Sequence, residues 1–179
     1  MRESVAAMRG DDPFCMIAAG KADAYKVYED DQVMIILDKK PASLGHVLVI
    51  TKEHYEAVED VPPDVLVRAW LSASAVAHYL RKVKGALGVN LITNSGSPAG
   101  QVVFHFHIHV IPRWDPGPIV RGVRHDLTDE EARRAQAIYE GLHEVIREYL
   151  QSATEAALRT QDPPHSGSAS PSSSQRQLY

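Results

Sequence analysis

The chain of 179 residues has a single cysteine, Cys15, which excludes an intrachain disulfide and suits a reducing compartment. No apolar run is long enough to cross a bilayer, and the N-terminus lacks the basic-then-apolar order of a secretory signal. The expected location is therefore the cytoplasm, with no membrane partner. An excess of positive charge is also missing. A formal charge of −4 argues against a broad nucleic-acid-binding surface, while leaving room for a local basic pocket. There is no internal repeat. What remains is an ordinary soluble composition, 44% apolar and 23% charged, sufficient for one domain with a sizeable core.

The organisation follows from periodicity and punctuation. Residues 1–12 are polar and mixed, and are expected to be flexible. Tyr25–Tyr28 and Val33–Leu37 read as two strands of a hairpin turning at Glu29–Gln32. Lys39–Gly45 is a loop, and His46–Ile50 is a nearly continuous apolar run suited to a buried central strand. A helix is expected from Pro63 to Lys84, with Leu66, Ala69, Ala73, Val76, Ala77 and Leu80 on its apolar stripe. Val89–Thr93 and Val102–Ile111 read as the last strands, joined by the small, polar loop Asn94–Gln101. A second helix starts near Thr128, where Glu131 has capping-box spacing. The Ser-, Pro- and Gln-rich residues 161–179 are too polar to pack and read as a disordered tail. Short connections between strands imply antiparallel pairing. The expected class is α+β: a sheet of about five strands with two main helices on one face, forming a domain over residues 13–160. The strand order does not follow from these signals.

The chemistry concentrates in Phe104–Ile111, where His105, His107 and His109 alternate with apolar residues. Side chains alternate faces along a strand, so all three imidazoles share one face. Three functions fit such a row. Structural histidines would each need a polar partner in the core. A metal site can use histidines two apart on a strand, but no Asp or Glu lies between Asn90 and Trp114 to complete one locally. In the third, a neutral imidazole attacks phosphorus, its far nitrogen held by an acceptor, with donors nearby for the phosphate oxygens. Asn94, Ser95, Ser97, Gln101 and the backbone around Gly96 and Gly100 offer such donors.

The run His105–Ile111 resembles the signature of the histidine triad (HIT) superfamily of nucleotide hydrolases and transferases, His-φ-His-φ-His-φ-φ with φ apolar. The likeness extends to Gly45-His46-Val-Leu-Val-Ile, to the pre-triad turn Ala99-Gly100-Gln101, and to Tyr25–Asp31 with Leu37-Asp38. It covers about Phe14 to Arg113. The resemblance implies a HIT-like fold, a purine nucleotide as substrate, no cofactor and a homodimer. It casts His107 as nucleophile on the α-phosphate and His46 as the orienter behind it. His105 would hold that network, and His109 would contact the phosphate. Asn94 and Gln101 would bind phosphate oxygens or the leaving group. Asp38 would bind the ribose, and Ile36 and Leu37 would line a purine pocket.

Departures from the family pattern qualify these expectations. Thr51 replaces a common proline, and Val102 stands where some branches have a phosphate-contacting hydroxyl. Many bacterial relatives bind structural zinc through Cys-x-x-Cys and two histidines. Here Asp12 replaces the first cysteine, so no metal is expected at Asp12, Cys15, His54 and His105. His109, in place of the glutamine of the uridylyltransferase branch, favours transfer to water. The expected activity is hydrolysis of an adenosine phosphoramidate, an aminoacyl adenylate or a dinucleoside polyphosphate. The alternatives are a metal-dependent hydrolase and a non-catalytic nucleotide-binding protein.

Overall fold

The computed structural model describes residues 12–116 and 125–159, with side chains to residue 156. The expected tail and all of the expected flexible N-terminus except Asp12 lie outside the described residues. Five antiparallel strands form one sheet: β1 (Lys26–Glu29), β2 (Val33–Leu37), β3 (Val47–Thr51), β4 (Gly88–Ile92) and β5 (His107–Arg113). Their order is β1-β2-β3-β5-β4, so the histidine-bearing strand lies between β3 and β4. The first hairpin turns on Asp30, whose Oδ1 accepts the N–H groups of Gln32 and Val33, both at 2.9 Å. Arg68 donates to the other oxygen, Asp30 Oδ2, at 2.7 Å.

Among the described residues, four α-helices accompany the sheet: α1 (Pro13–Ala18), α2 (Pro63–Lys82), α3 (Asp129–Ile138) and α4 (Leu142–Arg159). Alternation along the strands separates two cores. Val33, Ile35, Leu37, Val47, Val49, Ile108 and Val110 are buried beneath apolar residues of α2, α3 and α4. On the other face, Met34, Ile36, Leu48 and Ile50 pack with Phe14 and Ile17 of α1. The register places Leu48 opposite His109 and Ile50 opposite His107. The histidines therefore share the second face with α1.

Beyond shifts of one or two residues at other element ends, three features differ from expectation. β5 begins at His107 rather than Val102, because the backbone from Gln101 to Phe106 departs from the ladder. Within that stretch the Phe106 N–H donates to Tyr55 O at 2.6 Å. The second expected helix is two helices, broken at Gly141, whose φ of 90° lies in the left-handed region. Helix α1 was not anticipated. Asp12 caps it by accepting the Phe14 N–H at 2.8 Å, and Pro13 occupies the first turn.

Candidate functional site

His107 is 7% exposed on β5, and its Nδ1 lies 2.7 Å from the His105 carbonyl oxygen. A carbonyl only accepts, so Nδ1 carries the proton and Nε2 carries the lone pair. Burial pushes the pKa of His107 below the usual histidine value, which the His105 carbonyl contact only partly offsets. The ring is therefore neutral at pH 7. Phe14 of α1 packs edge-on against it, with ring centroids 5.2 Å apart.

A second hydrogen-bond chain fixes the neighbouring imidazole. The Ala42 N–H donates to His46 Nδ1 at 3.1 Å, leaving the His46 proton on Nε2. That N–H donates to His109 Nδ1 at 3.0 Å, so a neutral His109 holds its own proton on Nε2. His107 and His109 lie with ring centroids 4.9 Å apart and present opposite chemistry, a lone pair on one and an N–H on the other. His46 Nε2 thus hydrogen-bonds His109, and the acceptor that orients His107 is the His105 carbonyl. Gly45 sets the position of His46. Its φ is 83°, its carbonyl accepts the Tyr139 hydroxyl, and Ile138 Cδ1 lies 3.1 Å from where a Cβ would stand. Asp38 Oδ2 lies 3.4 Å from His46 Nδ1 and 3.8 Å from His109 Nδ1, and Asp38 Oδ1 accepts the Lys40 N–H at 2.7 Å.

Other expected site residues fall elsewhere. Gln101 is 3% exposed and spends its amide inside the protein. Its Nε2 donates to Glu56 O and Val103 O at 2.7 and 3.2 Å, and its Oε1 accepts the Gly96 N–H at 2.7 Å. It braces the pre-triad loop and has no donor left for a phosphate. The backbone N–H groups of Ala99, Gly100 and Gln101 also bond within that loop, so they do not form the expected anion cradle. Asn94 follows β4 in the same loop, half-buried. Ile36 lies on the histidine face, whereas Leu37 points into the helix-covered core and does not line a pocket beside the triad. A cavity of about 210 Å³ has Asp38, His46 and Leu37 in its wall, but neither His107 nor His109.

His105 belongs to a different cluster. It is fully buried, and its Nδ1 lies 2.7 Å from Asp12 Oδ2 and 3.6 Å from Cys15 Sγ. His54 Nδ1 meets the same two atoms at 2.8 and 3.6 Å. One ligand atom from each of these four residues falls within 4.8 Å of every other. With Zn–N near 2.05 Å and Zn–S near 2.3 Å, an S···N edge of a zinc tetrahedron is about 3.6 Å. The donor set and the sulfur–nitrogen spacings therefore fit a tetrahedral ion, contrary to the expectation drawn from the missing cysteine. Such an ion would be closed off by four protein ligands and would act structurally. Asp38, His46 and His109 form a second group of ligand-type atoms, but there His46 and His109 direct ring nitrogens at one another in a hydrogen bond.

Fold and site together define an α+β protein whose antiparallel sheet carries His107 and His109 on β5, with His46 just before β3. The comparisons agree. The model of the HIT domain matches residues 19–115, and the chain belongs to the HIT-domain family. An adenylylsulfatase, HINT3, of Arabidopsis thaliana is 42% identical over 59% of this chain; the match spans 54% of that protein's length. An uncharacterized HIT-like protein of Saccharolobus solfataricus is 34% identical over 78% of this chain and 97% of its own. Among solved structures, a zinc-bound histidine triad family protein from Mycobacterium smegmatis is 34% identical. It covers 73% of this chain and 94% of that one, with a TM-score of 0.63.

Proposed function

We propose that this protein is a nucleotidyl hydrolase that cleaves at the α-phosphate of a purine nucleotide conjugate through a covalent intermediate on His107. The carrying observation is the fixed pairing of opposite protonation states. His107 holds a lone pair on Nε2, and His109 holds a proton on its Nε2. In the first step His107 Nε2 bonds to phosphorus as the bond from phosphorus to the leaving group breaks; the neutral His109 donates an Nε2–H hydrogen bond to the departing atom, which takes its proton from solvent water. The cationic His107 ring is stabilised through Nδ1–H by the His105 carbonyl. In the second step water attacks phosphorus as the bond from phosphorus to His107 Nε2 breaks; the water's proton passes to solvent, His107 regains its lone pair and the nucleoside monophosphate leaves. Asp38 and Asn94 are the proposed contacts to ribose and phosphate, and Ile36 forms part of the base pocket.

The conjugates to compare are an adenosine phosphoramidate, an aminoacyl adenylate, a diadenosine polyphosphate and adenylyl sulfate. The last is included because HINT3 is named an adenylylsulfatase. His107→Ala is expected to abolish turnover while retaining AMP binding, and rapid quenching of wild type should trap nucleotide on the protein. Full activity in His107→Ala overturns the assignment; AMP binding with no turnover of any conjugate supports a non-catalytic nucleotide-binding protein instead. The metal-dependent reading has less support, because within the Asp38, His46 and His109 group both nitrogens of His46 and Nδ1 of His109 are engaged in hydrogen bonds.

The homodimer is part of the same proposal. β4 lies at the edge of the sheet, and Val83, Leu87 and Ile92 around it are 57%, 57% and 40% exposed. An apolar sheet edge of this kind is a template for pairing with a second chain.

A further inference from the structure

The loop that leads into β3 is tied down by groups from outside the histidine face. One bond is internal, the His46 N–H donating to Ser43 O at 3.1 Å. The others reach across the molecule. Ser43 Oγ donates to the Pro112 carbonyl of β5 at 2.7 Å, and Trp114 Nε1–H donates to Leu44 O at 2.8 Å. The next carbonyl, that of Gly45, accepts the hydroxyl of Tyr139, the residue that caps the C-terminus of α3. Tyr139 is itself held firmly. It is buried, its ring stacks on Tyr79 of α2 with centroids 6.4 Å apart, and the Tyr79 hydroxyl donates to the Glu140 carbonyl beside it. Burial, with Tyr79 nearby, pushes the Tyr139 pKa above the usual phenol value, so its hydroxyl stays a donor across the neutral range.

The bonded carbonyl has a direct route to the site. Gly45 O and His46 N belong to one planar peptide, so a donor that fixes the oxygen also fixes the plane from which His46 projects. Gly45 itself has a φ of 83° and a crowded Cα, so the loop enters this plane along a single path. We propose that Tyr139 is a positioning residue: through the Gly45 carbonyl it holds the His46 imidazole where Nδ1 receives the Ala42 N–H and Nε2–H is given to His109. The consequence for turnover rests on the proposed hydrolysis, which needs the proton of His109 on Nε2; the placement of the rings does not. A purely structural Tyr139 would anchor α3 and leave the histidines alone. Tyr79 supplies the contrast, because its hydroxyl secures the same α3–α4 junction through Glu140 rather than through the loop.

The experiment compares full-length wild type, Tyr139→Phe and Tyr79→Phe, each with ¹⁵N-labelled histidine. Long-range proton–nitrogen correlation spectra read which ring nitrogen carries the proton, and His46→Gln and His109→Gln assign the signals. In wild type we expect His46 in one tautomer, protonated on Nε2. Tyr139→Phe should move the His46 and His109 signals toward the average of both tautomers. It should also lower kcat at least about tenfold on the preferred conjugate, with KM within about twofold. Tyr79→Phe should lose thermal midpoint yet keep the wild-type histidine signals and kcat. Wild-type signals in Tyr139→Phe overturn the proposal, as does an equal displacement in Tyr79→Phe. So does a wild-type kcat in Tyr139→Phe, or a Tyr139→Phe chain that fails to fold, which would assign the hydroxyl to the fold alone. A mixed or Nδ1-protonated His46 in wild type overturns it without any variant. Displaced signals in a protein that turns over no conjugate would support the positioning role and remove the hydrolysis, so the two failures are distinct.

Discussion

At the scale of single residues, hydrogen-bond partners decide roles that residue type leaves open. Gln101 is the plainest case: a glutamine in a small-residue loop before a histidine row invites a phosphate-binding role, yet both of its amide donors and its carbonyl oxygen are engaged inside the protein. Gln101→Ala would leave Gly96 N–H, Glu56 O and Val103 O without that partner, at a cost of about 1–3 kcal/mol. The measurement is urea unfolding of both forms; equal midpoints would show that the brace contributes nothing. Ser72 makes the opposite case. Its hydroxyl is buried in α2 with no hydrogen-bond partner among the described residues. Ser72→Ala removes an unsatisfied group and improves helix propensity, so it should stabilise the fold by about 1 kcal/mol. A lower thermal midpoint in that variant would contradict the assignment. The histidines themselves were legible as a row from their spacing. Their division of labour was not, because it depends on the Ala42 N–H and the His105 carbonyl, backbone groups that no spacing rule locates.

At the scale of elements, the strands read well because their apolar patterns are dense. β2 spans Val33–Leu37 as expected, and β3 differs only by its first residue and its extension to Thr51. Signals that depend on one residue were missed. α1 rests on Asp12 as cap and Pro13 in its first turn, a signature within six residues that polar surroundings mask. The break between α3 and α4 rests on Gly141 inside an otherwise periodic stripe. Gly141→Ala must hold a Cβ at positive φ, costing about 1–2 kcal/mol, and chemical denaturation would measure it. The Thr128–Glu131 capping box was legible from its spacing and is formed. Hydrogen bonds from the Thr128 backbone, from His125 and from the Thr128 side chain hold Glu131 down at a pKa of about 2. A carboxylate depressed in the folded state contributes stability at pH above its unfolded value near 4.5, and loses it as the pH falls toward 2. Wild type should therefore exceed Glu131→Gln in thermal midpoint at neutral pH and converge with it on acidification. A gap that persists at pH 2 would show that the charge is not the source.

At the scale of the whole molecule, the sheet divides the protein into a helix-covered side and a histidine-bearing side. α2, α3 and α4 cover one face with a continuous apolar core, while the other carries α1, the small core of Phe14, Ile17, Met34, Ile36, Leu48 and Ile50, and the imidazoles. Placing β5 beside β4 puts the histidine strand one position in from the exposed edge. Any second copy that pairs along β4 then lies within one strand of His109, whose partner in the ladder is Ile92. Ile92 is thus the position where association and the site are most closely coupled. Ile92→Lys places a charge on the edge strand, a device that prevents edge-to-edge pairing. It is expected to shift the protein from dimer to monomer in sedimentation velocity without lowering the unfolding midpoint of the isolated chain. Turnover of the preferred conjugate should fall along with the dimer fraction if the paired edges hold β5 in register. A wild-type protein that sediments as a monomer at all concentrations removes the dimer. A monomeric Ile92→Lys variant with full turnover keeps the dimer but separates it from catalysis.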